Sequence, residues 1–420
     1  MRGVNVLSRP VAAAAPWADP LFTIGVTGTN GKTSTVWMIS AVLRAAARSV
    51  LRISTLGVAL DDEVLPRGKR FADFLGVLAT AADRGCRDAV IETTSLALSQ
   101  GYARQWRFDM GVFTNLSEEH FGTHGSWEHY LAAKAQLFMA LGPGRVAVLN
   151  AADPHALYID GAIPADVRRA WFAAPNRGEP LCEPTLLAER FELGPGGTRV
   201  VLAPSPAAEA LRGVIETAMV GEVFGENALA AALAGLAAGV PGEVVRRGLA
   251  TCPVVPGRFE VLAHGAGRAT VAIDYAHSPD ALVHTCATAR RLAGDGRVVV
   301  VFGSGGGQPD DKRRAMGAAV GAAADVAVVT SDNPRDEDPG VIAASVLAGV
   351  RAGGRARGEL ELDRARAICG ALESARAGDV VVVAGKGHEE GQVVARKQRL
   401  PFSDAGVVRA WLAGAGVTGT

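Results

Sequence analysis

A glycine-rich stretch near the start of the sequence contains the residue types that bind phosphate. The stretch reads GVTGTNGKTST over residues 25–35, and its candidate nucleotide contacts are Gly28, Thr29, Asn30, Gly31, Lys32, Thr33 and Ser34. Glycine lets backbone N–H groups approach phosphate oxygens, the Lys32 ammonium can reach the terminal phosphates, and the Thr33 hydroxyl can contact Mg²⁺. A bare glycine turn between a strand and a helix is the alternative. The order strand, loop, Lys-Thr and helix favours phosphate binding.

A lysine on the apolar side of a predicted helix is the second unusual feature. In GSWEHYLAAKAQLFMAL, Lys134 falls on the same stripe as Tyr130 and Leu131. Ser126 is a good N-cap for this helix. A lysine at the edge of such a stripe usually extends its ammonium to water, and that is the alternative to a functional role.

The elements that position these residues form two successive α/β patterns. Buried strands are predicted at LFTIGVTG, RDAVIETTS, FDMGVFTNLS and RVAVLNAAD, and later at ATVAIDYAHSPD, RVVVVFGSGGG, DVAVVTSDNPR and DVVVVAGKGHE. Each run ends in polar or glycine-rich residues, and ligands of open α/β sheets bind at such carboxyl ends. The predicted fold class is α/β: a P-loop ATPase-type parallel sheet followed by a Rossmann-like domain.

The predicted division of the chain is an irregular arm at 1–20, an ATP-binding domain at 21–253 and a second domain at 254–420. Lys+Arg and Asp+Glu both number 43, and this balance argues against nucleic-acid binding and against a membrane-surface role. The five cysteines are scattered, which indicates reduced thiols and a cytoplasmic protein. No apolar run is long enough to predict a membrane span.

The motifs together resemble the Mur ligases, and among them the MurE type. They are GVTGTNGKT, ETTS, FTNLSEEHFGTHGSWEHYLAAKAQLF, VPGRFE, DYAHSPDAL, SDNPR and AGKGHE. The resemblance implies an ATP-dependent ligase that needs Mg²⁺. It transfers the γ-phosphate of ATP to an acceptor carboxylate, and an amino-acid amine then displaces the phosphate to form an amide. The implied partners are small-molecule substrates.

The resemblance also implies a role for individual residues. The catalytic and metal-binding residues are Lys32, Thr33, Glu92, His120 and Lys134, with Lys134 carbamylated by CO₂. Further nucleotide contacts are Asn227, Arg258, Asp274, Tyr275 and His277. The contacts to a diaminopimelate-like amino acid are Asp332, Asn333, Pro334, Arg335, Gly385 and Glu389. In chemical terms, Arg335 can hold a carboxylate bidentately and Glu389 can accept an ammonium.

Several departures from the family pattern fall on the acceptor side. By comparison with the family, we expect the protein to lack the leading UDP-binding domain. The sequence has no Thr-Thr pair before ETTS, and Leu96 stands where the family has histidine. On the nucleotide side, Phe224 and the run Gly305–Pro309 also differ. These departures predict an acceptor other than UDP-MurNAc-dipeptide, as in a specialised peptide or natural-product pathway.

Two alternatives stay open from the sequence. The first is the MurE reaction of peptidoglycan synthesis itself, with the UDP-binding domain either supplied by a partner protein or not needed. The second is a catalytically weak subunit that binds nucleotide. Lys32, Glu92, His120 and Lys134 together argue against the second, because a subunit that only binds nucleotide needs no metal-binding set.

Overall fold

The computed structural model describes residues 17–66, 68, 70–117, 125–265 and 267–414. Contacts divide the chain into two compact units. The first unit runs to Phe191 and includes Arg199–Thr217 and Phe224–Cys252. The second holds Glu192–Thr198, Ala218–Val223 and all residues from Pro253. Two short segments that precede residue 253, Glu192–Thr198 and Ala218–Val223, are grouped with the second unit. The predicted division at residues 20 and 253 therefore stays a prediction.

Within the described residues, the larger sheet has eleven strands: β1 Phe22–Thr27, β2 Val50–Ser54, β3 Gly57–Leu60, β4 Glu63–Leu65, β5 Asp88–Glu92, β6 Met110–Phe113, β7 Val146–Asn150, β8 Arg168–Ala173, β9 Leu186–Gly194, β10 Gly197–Leu202 and β11 Val214–Thr217. Their order is β11-β10-β9-β8-β7-β6-β1-β5-β2-β3-β4. The pairs from β2 through β5, β1, β6, β7 and β8 to β9 are parallel, and β3 and β4 add an antiparallel edge.

The helices around this sheet are α1 Lys32–Ala45, α2 Phe71–Asp83, α3 Ser95–Ser99, α4 Tyr102–Gln105, α5 Trp127–Met139, α6 Pro154–Gly161, α7 Pro206–Ala210, α8 Glu222–Ala237 and α9 Gly242–Ala250, with a 3₁₀ turn at Pro175–Arg177. The predicted cap of α5 is confirmed, since Ser126 Oγ accepts a hydrogen bond from His129 N at 3.3 Å. The central strands are buried along their length because helices cover the sheet.

The smaller sheet lies in the second unit. Within the described residues its strands are β12 Glu260–Ala263, β13 Thr270–Asp274, β14 Val298–Phe302, β15 Val326–Val329, β16 Arg357–Leu360 and β17 Val380–Ala384, in the order β12-β13-β17-β14-β15-β16. All its pairs are parallel except β12 with β13. Its helices are α10 Pro279–Ala293, α11 Asp310–Ala323, α12 Pro339–Gly353, α13 Arg364–Ser374 and α14 Asp404–Leu412. A separate hairpin, β18 Gly391–Val394 with β19 Gln398–Pro401, follows β17 through a short loop, with a 3₁₀ turn at Ala395–Lys397 between its strands.

The predicted fold class is confirmed: both units are built on mainly parallel sheets with helices between the strands. The valine runs of β14 and β17 are completely buried, as continuous apolar strands of parallel sheets should be. In both sheets the polar residues that follow the strands gather at the carboxyl edge. No helix of the described residues is both long and apolar enough to cross a membrane.

Candidate active site

The glycine-rich segment forms the turn between β1 and α1. Gly28 has a φ of 154° and Gly31 a φ of 85°, in the range that favours glycine. A Cβ atom on Gly28 would lie 1.9 Å from Thr114 Oγ1, and one on Gly31 would lie 2.3 Å from Asn227 Oδ1. Both positions therefore require glycine. The bare backbone and the helix N-terminus behind it fit a phosphate group.

Polar side chains at the end of the neighbouring strand β6 hold this loop in place. Asn115 accepts a hydrogen bond from Thr29 N on its carbonyl oxygen at 2.8 Å, and one from Asn30 N on Oδ1 at 2.9 Å. Thr114 Oγ1 donates to Asn30 O at 2.6 Å. Sequence reasoning did not assign a role to Thr114 or Asn115. The available signal was their position in FTNLS, directly after a predicted strand.

Lys32 and Thr33 begin α1 and face different partners. Lys32 Nζ donates to Gly28 O at 3.0 Å and to Thr29 O at 2.7 Å, so its ammonium lies across the loop. Thr33 Oγ1 donates to Glu92 Oε2 at 3.0 Å. The pairing of β1 with β5 sets Val26 opposite Glu92, and this register brings Glu92 to the loop.

Lys134 is buried, with 1% of its surface exposed. Its Nζ donates to Gly28 O at 2.6 Å and lies 4.4 Å from the centre of the Tyr130 ring. The alternative of a lysine that extends to water is therefore wrong. Lys32 and Lys134 donate to the same carbonyl oxygen, so two cationic side chains meet at one point beneath the loop.

The predicted metal-binding residues fit Mg²⁺ as far as they are described. His120 lies outside the described residues. Thr33 and Glu92 present oxygen atoms, which Mg²⁺ prefers, and the ion usually keeps several waters. Across the described ranges, no three His, Cys, Asp or Glu side chains cluster as a metal site. A carbamate on Lys134 would add oxygen atoms that the unmodified residues do not provide.

The remaining predicted residues of the first unit also lie at the loop. Ser34 is buried in the first turn of α1, and Asn227 in α8 is buried beside Gly31. Next to Asn227, Glu226 Oε1 accepts hydrogen bonds from Asn150 Nδ2 at 2.7 Å and from Arg177 Nε at 2.5 Å. Asn227 thus lies on a helix that is fixed by buried polar contacts.

Tyr275 is the centre of the predicted nucleotide contacts in the second unit. The Arg258 guanidinium lies 4.7 Å from the centre of the Tyr275 ring, within cation–π range. The His277 ring lies 4.6 Å from the same ring, and its Nδ1 is 2.7 Å from Tyr275 O. Arg258, Tyr275 and His277 therefore form one cluster at the end of β13.

Asp274 supports that cluster from within β13. Its Oδ1 accepts hydrogen bonds from Phe259 N at 3.1 Å and from Tyr275 N at 2.8 Å, and its Oδ2 accepts one from the Thr285 hydroxyl. Burial raises the pKa of the Asp274 carboxyl, and these hydrogen bonds oppose the rise. Phe259 has a φ of 43°, and its bond to Asp274 helps to hold that strained residue.

The SDNPR and AGKGHE motifs meet at the carboxyl edge of the smaller sheet. Asn333 Nδ2 donates to Glu389 Oε2 at 3.0 Å. Lys386 Nζ donates to Asn333 Oδ1 at 2.9 Å and to Glu389 Oε2 at 3.1 Å, and lies 3.6 Å from Asp332 Oδ1. Gly385 has a φ of 115°, and a Cβ atom there would lie 2.6 Å from Asp332 Oδ2. The structure thus brings together all of these residues.

Pro334 and Arg335 lie beside a different loop. Arg335 has a φ of 57°, its N donates to Val393 O at 3.0 Å, and its Nη1 donates to Gly306 O at 3.0 Å. A Cβ atom on Gly306 would lie 2.1 Å from Pro334 O. The departure at Gly305–Pro309 therefore lies directly against Arg335.

Sequence reasoning missed three residues of this region. Lys386 lies within AGKGHE, but the motif gave it no role. Arg364 and Asp404 form a completely buried ion pair, with Nε–Oδ1 and Nη2–Oδ2 distances of 2.7 Å. Arg364 also donates to Ala384 O at 2.9 Å, at the end of β17. No motif marks Arg364 or Asp404, because the pair joins two helices that are distant in sequence.

Comparisons with known proteins identify the chain's relatives. The family model for the Mur ligase middle domain matches residues 26–235, and the model for the Mur ligase, glutamate ligase domain matches residues 257–387. The UDP-N-acetylmuramoyl-L-alanyl-D-glutamate–2,6-diaminopimelate ligase of Solibacter usitatus is 38% identical over 93% of this chain and 77% of its own length. The ligase of the same name from Geobacillus thermodenitrificans is 37% identical over 93% of this chain and 78% of its own length.

A solved structure agrees with these relatives. The structure of a UDP-N-acetylmuramoyl-L-alanyl-D-glutamate–2,6-diaminopimelate ligase aligns with a TM-score of 0.67 and 31% identity, over 94% of this chain and 79% of that one. The prediction of an acceptor other than UDP-MurNAc-dipeptide is therefore wrong. Relatives named for that acceptor match nearly the whole chain. Single departures such as Leu96 do not outweigh similarity of that extent.

Proposed function

Because this chain belongs to the Mur ligase family, we propose that it joins 2,6-diaminopimelate to UDP-N-acetylmuramoyl-L-alanyl-D-glutamate. The chain is an ATP-dependent, ADP-forming acid–amino-acid ligase that uses ATP and Mg²⁺ and acts on small molecules. The acceptor and donor of this proposal are those in the names of its relatives. Their being ligases counts against the alternative of a catalytically weak subunit.

The observation that carries the proposal is the polar cluster of Asp332, Asn333, Lys386 and Glu389. It offers a carboxylate for an ammonium group, while Arg335 lies nearby in sequence with a guanidinium for a carboxylate. Diaminopimelate carries ammonium and carboxylate groups at both ends, so one end can bind here while the other supplies the amine that reacts. A donor with an apolar side chain would shield these groups from water without offering them an ammonium or a carboxylate, which is costly.

The first unit supports activation of the acceptor. Its glycine loop and the N-terminus of α1 fit the phosphates of ATP, and Lys32 can leave the carbonyls of Gly28 and Thr29 to meet them. The carboxylate then gains the γ-phosphate, ADP leaves, and the donor amine displaces phosphate with loss of a proton. When bound to Thr33 and Glu92, Mg²⁺ would supply charge neutralisation at the phosphates.

We also propose that Lys134 is carbamylated. The support is its burial and its shared acceptor with Lys32, because a carbamate replaces one of two adjacent cations by an anion. Incubation with ¹³C-bicarbonate should give a carbamate carbon signal in NMR that is absent from Lys134→Arg. A signal that persists in Lys134→Arg, or no signal in the wild type, would contradict the proposal.

Steady-state assays test the function. The purified chain, ATP and Mg²⁺ should release phosphate only when both UDP-N-acetylmuramoyl-L-alanyl-D-glutamate and 2,6-diaminopimelate are present. Lysine in place of diaminopimelate tests the need for the second carboxylate. Lys32→Met should lower kcat by at least about 100-fold, as loss of one positioned transition-state donor does elsewhere. Turnover with other acceptors but not with this one would refute the proposal.

The location and the partner also belong to the proposal. We place the reaction in the cytoplasm, where ATP is available, and the structure shows no disulfide among the five cysteines, all of which it describes. A partner protein that supplies acceptor binding stays a prediction. Turnover by the purified chain alone would show that no partner is required.

A further inference from the structure

Lys386 is a buried cation, and it contacts several polar side chains whose orientation and charge it influences. None of its surface is exposed. Gly385 and Gly387, on either side of it, have φ values of 115° and 53°. These two residues allow the backbone to turn so that the Lys386 side chain points into the protein rather than to solvent. The loop therefore uses glycines to bury a charge, which is costly unless that charge is well paired.

Lys386 and the backbone N–H of Val393 together fix how Asn333 is oriented. The backbone N–H of Val393 donates to Asn333 Oδ1 at 2.8 Å, and a backbone N–H can only donate. The oxygen of the amide must therefore face Val393, and Lys386 Nζ donates to that same oxygen. The amide NH₂ is left facing Glu389 Oε2. Because Val393 and Lys386 both donate to its oxygen, Asn333 presents its NH₂ group to Glu389.

The same lysine occupies one oxygen of Glu389 and leaves the other available. Oε2 accepts hydrogen bonds from both Asn333 and Lys386, whereas Oε1 has no hydrogen-bond partner among the described residues. The Glu389 side chain is 30% exposed, so a ligand can reach it. Burial by itself raises the pKa of the Glu389 carboxyl, but the Asn333 hydrogen bond and the Lys386 charge outweigh it and lower the pKa.

The charges around Glu389 are nearly but not completely balanced. Lys386 and Arg364 face three carboxylates, those of Asp332, Glu389 and Asp404, and this leaves one negative charge in excess. His388 is the other titratable group that acts on Glu389. A single ammonium group on a ligand would complete the balance.

We propose that Lys386 is a positioning residue for the donor amino acid, which keeps Glu389 ionised and Asn333 oriented so that they bind the donor's ammonium group. This inference rests on the proposed function and deepens it. Lys386 does not touch the reacting atoms. It acts through Asn333 and Glu389, and its removal would leave Asp332 and Glu389 as neighbouring carboxylates, one of which would take up a proton.

The test is Lys386→Met, which keeps the length of the side chain and removes the charge. At neutral pH we expect kcat/KM for 2,6-diaminopimelate to fall about 10- to 100-fold, the usual effect of a lost charged hydrogen bond. KM for ATP should not change. The acid limb of the pH profile of kcat/KM for the donor should move to higher pH, because Glu389 loses the interactions that lower its pKa. A purely structural lysine would not move that limb.

Two further variants control for folding. Lys386→Arg keeps a cation and should restore the acid limb towards its wild-type position. Arg297→Met removes a cation from Asp379 at the opposite edge of the same sheet, and should lower stability without change in the donor profile. If Lys386→Met has the wild-type donor KM and pH profile while the wild type is active, the assignment of Lys386 is wrong. If the wild type neither binds nor uses diaminopimelate, the proposed function fails and the assignment fails with it.

Discussion

Both edges of the smaller sheet carry aspartates, but the pKa values of these aspartates shift in opposite directions at the two edges. At the amino edge, Asp325 precedes β15 and Asp379 precedes β17. At the carboxyl edge, Asp274 ends β13 and Asp332 follows β15. The pKa values of Asp325 and Asp379 are lowered, whereas burial raises those of Asp274 and Asp332.

The difference comes from the partners of each carboxylate. Burial acts on Asp325 too, but the N–H of Val298 and the guanidinium groups of Arg290 and Arg355 outweigh it and lower its pKa to about 2. Asp332 is more deeply buried, and Arg364 and Lys386 do not fully offset the cost of that burial. Paired carboxylates of the first kind stabilise a fold, whereas carboxylates that are costly to ionise are typical of functional sites.

The largest expected effect on stability comes from a substitution at the carboxyl edge. It tests whether a buried ion pair at that edge also stabilises the fold. Asp404→Asn leaves the completely buried Arg364 without its counter-ion. We expect the free energy of unfolding to fall by about 3–5 kcal/mol, as when other buried ion pairs lose one partner. Urea unfolding of the two proteins measures the loss. A loss no larger than that of an exposed pair would show that Arg364 is well compensated by its carbonyl partners.

Asp332→Asn should have its main effect on catalysis. The neutral side chain removes the excess negative charge that would meet the donor's ammonium, so kcat/KM for diaminopimelate should fall about 10- to 100-fold. Because burial makes the ionised form of Asp332 unfavourable, thermal stability should hold or rise. Kinetics and thermal melts of the same preparation check both. A clear drop in melting temperature with normal kinetics would reverse the comparison.

The sequence predicted the local features of both units, but it did not predict the contacts between segments that are distant in sequence. The phosphate loop was predictable because Gly28, Gly31 and Lys32 lie within five residues and each has a backbone or charge role that its type reveals. The position of Lys134 on the apolar side of its helix followed from helical periodicity. By contrast, the contact of Asn115 with the loop depends on strand order, and no local pattern encodes it.

The donor site shows the same limit. SDNPR and AGKGHE were recognisable as motifs, and the structure brings them together because the strands that precede them, β15 and β17, both pair with β14. Lys386 lies in the second motif, but neither motif alone predicts its hydrogen bond to Asn333. Arg364 and Asp404 are ordinary residues near helix starts, and only packing shows that they form a buried pair.

At the amino edge, Asp325→Asn should have a smaller and purely structural effect. It weakens contacts to Arg290 and Arg355, both of which are partly exposed. We expect the free energy of unfolding at pH 7 to fall by about 1–2 kcal/mol, with allowance for solvent screening. Kinetic constants for ATP and donor should match the wild type. Any change in donor KM would mean that the two edges of the sheet are coupled.

The smallest effect is the pH dependence of the stability difference between the wild type and Asp325→Asn. Its sign follows from the lowered pKa of Asp325. A carboxylate whose pKa is lower in the folded protein than in the unfolded chain stabilises the fold above the unfolded value. That contribution is lost as the pH falls through the folded value of about 2. The stability gap between wild type and Asp325→Asn should therefore be constant near neutrality and shrink as the pH drops below the ordinary aspartate pKa. Urea unfolding at several acidic pH values measures the gap. If the gap widened on acidification, Asp325 would belong with Asp332 rather than with Asp379, and the contrast between the two edges would not hold.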